Sequence, residues 1–508
     1  MAAHTTGIGR RGFLGGCAGV VAGGVVGCET AAPKAEPVRR RAGASRDEDW
    51  RIRDQGPEDA VLGYADRVSV RPGEELGLRV STTARRFRVS AFRVGWYDGA
   101  EAELVWRSES VPGREQREPR VHDITKAVLA DWRRSLTVDT TDWPEGAYLL
   151  RLDSDDDHQR YVPLIVRSAS GAGRTVLMHA PATWQAYNVW GGYSLYQGQD
   201  GSHQGRSKVV SFDRPYDRDG AEKFLVYERA AVVLAERLGI PLAYTTGIDV
   251  DRDPDVLRDA TAVLVLGHDE YWTPRQRERV AEARDAGTNV AILGANTCFR
   301  RVRLETGRLE PEHEPGRAVA CYKDSYPQDP SYPDDPKRVT TDFRADPGAD
   351  PESSLTGVLY EGYPTDAPYV VHDHRHWVFD GTGVEKGESF DHLVGVEYDR
   401  VTPDAPTPER IRIVAHSPLE CKGKASHQDS AYYTVDSGAG VFSVGTMRWV
   451  EGLMAGTDAN GRNHGMDART GRFVTRATEN VLRAFAEGPA ARHRPEPENN
   501  VDRVYDED

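Results

Sequence analysis

Two patterns divide this chain and predict an α/β fold, a doubly wound parallel sheet, preceded by an antiparallel β-sandwich domain. Between about residues 50 and 170, short segments alternate apolar and polar residues with a period of two. That is the signature of strands buried on one face. After about residue 174 the apolar residues form continuous runs separated by helical periodicity. Such runs are expected of strands covered on both faces by crossover helices.

The first segments carry an address. Gly9-Arg10-Arg11-Gly12-Phe13-Leu14 sets a twin arginine before an apolar pair, and a Gly/Ala/Val run follows from 15 to 27. The run is shorter than the roughly 20 residues needed to span a bilayer. Charge, apolar run and small residues in this order predict a twin-arginine export signal. The run ends at Val25-Val26-Gly27-Cys28, which is similar to a lipobox and would place a lipid on Cys28. Cleavage near Ala31-Ala32 is the alternative. The expected location is therefore the outer face of the cell membrane, reached only through that lipid anchor, or the secreted fraction. Residues 29–49 are rich in Ala, Pro and Arg and read as a flexible tether.

The expected sandwich, immunoglobulin-like, spans 50–170. Its strands include Leu76-Gly77-Leu78-Arg79-Val80, Phe87-Arg88-Val89-Ser90-Ala91-Phe92-Arg93-Val94, Ser135-Leu136-Thr137-Val138 and Tyr161-Val162-Pro163-Leu164-Ile165-Val166. Turns such as Arg71-Pro72-Gly73-Glu74 separate them. The expected α/β domain spans 171–488. Thr175-Val176-Leu177-Met178 opens it, and 223–238 has helical periodicity. Pro241-Leu242-Ala243-Tyr244, Ala262-Val263-Leu264-Val265-Leu266 and Asn289-Val290-Ala291-Ile292-Leu293 read as further strands. Thr273-Pro274 starts a helix as cap and first residue, and Gly287 stops it. About 300–400, rich in Pro, Asp and Tyr, reads as an irregular insertion. Val441-Phe442-Ser443-Val444-Gly445 returns to strand, 478–486 closes as a helix, and the polar tail at 489–508 reads as disordered.

Composition excludes several roles. The 508 residues carry a net charge of −15, without the basic face a nucleic acid would require. The five cysteines, Cys17, Cys28, Cys298, Cys321 and Cys421, show no zinc or redox spacing. No G-x-S-x-G elbow, H-E-x-x-H, P-loop or strand-following G-x-G-x-x-G is present.

Ligands of open α/β sheets collect beyond the carboxyl ends of the strands. Three such exits are dense in polar and aromatic residues: 181–192, 267–272 and 294–297. In the second, His268-Asp269-Glu270 offers an imidazole and a carboxylate two apart, able to act as metal ligand and base or as an acid/base pair. Equally, Asp269 or Glu270 could cap the next helix. Tyr187 is a packing aromatic or a ligand. Asn296 could donate to a developing oxyanion or shape a turn. His372-x-His374-x-His376, if extended, would point three imidazoles one way as a metal comb or present a solvated strand face.

The exits resemble the large (beta) subunit of the N,N-dimethylformamidase family. The resemblance is carried by Gly95-Trp96-Tyr97-Asp98-Gly99, Thr183-Trp184-Gln185-Ala186-Tyr187-Asn188-Val189-Trp190-Gly191-Gly192, Ser211-Phe212-Asp213-Arg214-Pro215-Tyr216, Gly267-His268-Asp269-Glu270-Tyr271-Trp272 and Ala295-Asn296, within about 69–486. It implies a mononuclear ferric (Fe3+) site held by two tyrosines and a glutamate. These fall on Tyr187, Glu270 and, in Gly146-Ala147-Tyr148, Tyr148. It further implies catalytic roles for His268, Asn296 and Glu397, and hydrolysis of a C–N amide bond by metal-activated water. The expected substrate is a small amide or a polymer, and a homo-oligomer is compatible. The family's small partner subunit has no counterpart in this chain. A different reading keeps the fold without catalysis, as a cell-surface protein that grips carbohydrate or peptide with its Trp/Tyr-rich loops.

Overall fold

The computed structural model describes residues 49–306, 316–455 and 464–506. The export signal, Cys28 and nearly all of the tether lie outside the described residues. Among those described, no helix is long and apolar enough to cross a membrane.

The alternating segments form two facing sheets. One joins Val61–Ala65, Glu75–Thr82 and Leu136–Asp139. The other runs Ser69–Val70, Gln159–Val166, Gly146–Ser154, Arg86–Val94 and Ala102–Arg107, with the first pair parallel and the others antiparallel. Val61, Leu78, Val80 and Val138 on one side meet Phe87, Val89, Leu150, Leu152 and Leu164 on the other, all essentially excluded from solvent. This is the interdigitated inner face of two packed sheets.

The second region corrects the expected fold class. Its central sheet is mixed, in the order Leu242–Thr246, Thr175–His179, Ala262–Val265, Asn289–Ile292, Gly440–Ser443, Lys424–Thr434, Ile411–Cys421. The first five strands are parallel. The last two form a long antiparallel hairpin added to the edge. Several small sheets surround it, among them the antiparallel pair Leu359–Val370 and Ser389–Arg400. With 21% helix against 32% strand, the chain is not a doubly wound parallel α/β protein. The reason lies in one turn: Cys421 pairs with Lys424, so Lys422-Gly423 is a two-residue loop with both φ positive, 52° and 74°. Such loops join antiparallel strands directly.

Other elements differ in detail. The helical stretch at 223–238 breaks into Glu222–Tyr227 and Arg229–Leu238. Glu228 between them turns inward and takes hydrogen bonds from the Ala180 amide and the Trp184 indole, and pairs with His179 Nδ1. The Pro274–Asp285 helix starts as expected, with the Thr273 hydroxyl accepting from Gln276 N. The tail after Gly488 is packed through residue 506: Asn500 bonds both backbone groups of Ile413, and Val501 and Val504 of the Val501–Asp506 helix are buried. The histidine comb does not form, because residues 372–376 turn rather than extend. His372 lies near His416, and His376 packs on Trp377 and Tyr432.

Candidate active site

Three neighbouring parallel strands deliver the site. Beyond Thr175–His179, Pro181 opens the short helix Pro181–Tyr187, which leaves Tyr187 at its end. The loop that follows is held by a buried cation. Arg214 donates to the carbonyl oxygens of Trp190, Tyr193 and Asn188 at 3.0, 2.8 and 2.9 Å. Asn188 bridges to Gln185 and Pro215. Gly191 and Gly192, both at positive φ, fold the loop back, and Leu195 N bonds the Ala186 carbonyl at 3.0 Å. The consequence is that Tyr196 returns beside Tyr187. The second and third strands exit side by side because a Cβ on Gly294 would meet the Gly267 carbonyl oxygen.

Four polar groups converge there. Tyr187 donates its hydroxyl to Glu270 Oε2 at 2.6 Å, and Tyr196 reaches the same oxygen at 2.6 Å. The two hydroxyls are 2.8 Å apart. His268 Nε2 lies 3.1 Å from the Tyr187 hydroxyl. Behind this group, Asn296 donates from Nδ2 to Glu397 Oε2 at 2.8 Å and from its backbone to Asp399 Oδ1 at 2.8 Å. Asn296 holds a φ of 58°, in the left-handed region that Asn tolerates. Glu397 Oε2 is 3.9 Å from His268 Nδ1.

Burial sets the electrostatics. It lifts both phenols well above their ordinary value, and the Glu270 charge adds to the rise. Burial also opposes ionisation of Glu270, yet Arg300, Lys323, His268 and the Tyr187 hydrogen bond outweigh it and hold that carboxyl below its usual range. Arg300 Nε stands 3.3 Å from Glu270 Oε1. At Glu397 burial and then the Glu270 charge outweigh the Asn296 hydrogen bond and the Arg300 charge, and they push that carboxyl well up. Burial depresses His268 to about 4, leaving a neutral imidazole near pH 7. Two carboxylates beside the same imidazole, 3.7 and 3.9 Å from its two nitrogens, are thus driven in opposite directions, an arrangement that separates an ionised group from a proton carrier.

Of the residues singled out from the sequence, Tyr187, His268, Glu270, Asn296 and Glu397 are brought together. Tyr148 is not. It lies in the sandwich core, stacked on Trp143 and donating its hydroxyl to the Pro144 carbonyl at 2.7 Å. Tyr196, not singled out from the sequence, is the second tyrosine whose hydroxyl meets Glu270. Its only advance signal is an aromatic position just past the Gly191-Gly192 reversal. Arg300 and Lys323 were also not singled out. Lys323 is buried, without a hydrogen-bond partner at Nζ, 3.4 Å from the centre of the Tyr196 ring. Among the described residues, no group of three or more His, Cys, Asp or Glu is placed to hold a metal ion; two of the three oxygens at Glu270 come from tyrosines.

The profile of the N,N-dimethylformamidase beta subunit-like, C-terminal family matches residues 88–464. The chain belongs to this family. The match contains every convergent residue, and two of the segments quoted from the sequence, 183–192 and 211–216, are tied to each other by Arg214 and Asn188. No curated protein matches the chain. A solved cycloisomaltooligosaccharide glucanotransferase from Paenibacillus sp., complexed with cycloisomaltoheptaose, is 9% identical. The alignment covers 84% of this chain and 80% of that one at a TM-score of 0.18, too low to carry an argument.

Proposed function

We propose that this dimethylformamidase-like chain is a metal-dependent hydrolase of a C–N amide bond. The observation that supports it best is the meeting of the Tyr187 and Tyr196 hydroxyls on one Glu270 oxygen in a buried pocket. Two phenols and a carboxylate are hard oxygen donors, a set suited to a trivalent cation such as Fe3+. The donor set fits that ion, since loss of the two phenolic protons would leave three anionic oxygens in place of a hydrogen-bonded cluster. A metal held there would supply an acidified water and a polarised carbonyl.

The chain's own residues would do the remaining work. Glu397, protonated more readily than an ordinary carboxylate, takes the proton from the attacking water and passes it to the leaving amine. His268, neutral near pH 7, lies between Glu397 and the Tyr187 hydroxyl and orients that hydroxyl through Nε2. Asn296 Nδ2 turns its hydrogen bond from Glu397 to the substrate oxygen as negative charge develops there. Water and amide are consumed; a carboxylic acid and an amine leave.

Metal analysis and a visible spectrum of the purified protein test this. The expected result is close to one iron per chain with a phenolate-to-iron band, lost in Glu270→Ala. A protein that stays colourless and metal-free after loading with ferric or ferrous iron would sink the metal site.

A further inference from the structure

A cavity of about 320 Å³ opens against the two site tyrosines. Its lining includes the aromatic rings of Trp184, Tyr216 and Phe224 together with Tyr187 and Tyr196, among polar side chains such as Asn188 and Gln197. Trp184 meets Tyr216 and Phe224 edge-on, at 6.4 and 6.0 Å between centroids, so the wall is braced. Its four charges cancel: Asp217 and Glu222 against Arg218 and Lys223, with Arg218 paired to Glu222 at 2.5 Å. The Lys223 ammonium stands 4.8 Å from the centre of the Tyr187 ring.

Volume and charge together restrict the ligand. At roughly 30 Å³ for each water-sized atom, the space holds about ten heavy atoms, and dimethylformamide would fill about half of it. A half-filled cavity forfeits the dispersion contacts with these rings that a fitting ligand would make. Volumes near this lower limit, about 300 Å³, are typical of pockets for small organic ligands rather than polymers. A charged substituent would find no uncompensated partner and would lose its hydration.

We infer that the substrate is an uncharged amide bearing one apolar substituent of benzyl or similar size, seated between Trp184, Tyr216 and Phe224. This rests on the amidase reading, and its test separates the two. Binding of N,N-dimethylformamide, N-butylformamide, N-benzylformamide, N-formylglycine and N-(2-aminoethyl)formamide is measured by calorimetry on the full chain without metal, where no turnover interferes. Affinity should rise roughly threefold to fourfold per added methylene up to the benzyl compound, and the two charged compounds should bind at least tenfold more weakly than N-butylformamide. Val189→Phe, which fills the cavity, should erase the preference for N-benzylformamide over dimethylformamide. Val189→Ala, which enlarges it, should move the optimum to a longer substituent, and circular dichroism checks that both variants fold. Equal affinity across the series, or stronger binding of a charged compound, overturns the inference. Size-graded binding with no turnover of any amide by iron-loaded protein would leave the cavity assignment standing and remove the amidase reading. Hydrolysis of dimethylformamide with flat binding would do the reverse.

Discussion

Tyr187 and Tyr196 stack their rings 4.4 Å apart and bring their hydroxyls within 2.8 Å of each other above a single carboxylate. Nine positions separate them, and the loop between is closed by the buried Arg214. The pair, rather than either residue alone, defines the site.

Removing one phenol from the pair should therefore differ sharply from removing a phenol of the sandwich. With iron bound as proposed above, Tyr196→Phe is expected to abolish the visible phenolate-to-iron band, as is Tyr187→Phe. Tyr148→Phe should leave the band unchanged and cost about 1 kcal/mol of stability, the worth of its bond to Pro144. Spectra and urea unfolding of the three variants check this. A band lost in Tyr148→Phe and kept in Tyr196→Phe would reverse the assignment.

In the proposed mechanism Glu397 sheds a proton before it accepts one from water, and its pKa is raised by burial and by Glu270. Turnover should climb as pH rises through that raised value. Glu397→Gln should lower kcat by about 10²- to 10⁴-fold and flatten the climb while iron content stays the same. An unchanged pH profile in the variant would exclude Glu397 as the base.

Lys323 sits buried against two rings, and burial followed by Arg300 lowers its pKa to about 7. A buried amine without a hydrogen-bond partner is costly. Lys323→Met should raise stability at neutral pH by about 1–3 kcal/mol, while altering the spectrum of the site through the lost charge beside Tyr196. Differential scanning calorimetry decides it. A lower melting temperature would show that the contact with the Tyr196 ring outweighs the burial cost.

Asp399 is buried and accepts from Asn296 N, and burial raises its carboxyl from 3.8 to about 7. The folded state therefore favours the protonated form. Stability from this group is fully present below about pH 4 and is lost as pH rises to about 7. Asp399→Asn stays neutral, so its stability relative to the parent protein should improve across that window, by up to about 4 kcal/mol. Urea unfolding at both ends of the window measures this. Parallel curves would mean that Asp399 is ionised throughout.

What the sequence determined by itself is local. Continuous apolar runs mark the parallel strands, Thr273-Pro274 marks a helix start, and the exits after residues 180, 266 and 293 mark where chemistry gathers. Those features depend on neighbours a few positions apart, and four of the six singled-out site residues, Tyr187, His268, Glu270 and Asn296, lie on them. Tertiary structure alone decided three further matters. The Ile411–Thr434 hairpin joined the sheet edge and made it mixed, because polar-patterned strands pair according to their turn and partner, not their hydropathy. Tyr196, and not Tyr148, entered the site, because a guanidinium buried under the loop turned the chain back. Arg300 and Lys323 came to flank Glu270 from elements that no periodicity connects with it. Convergence of residues 187, 196, 270, 300, 323 and 397 is a property of long-range packing, and packing is written in no single window of the chain.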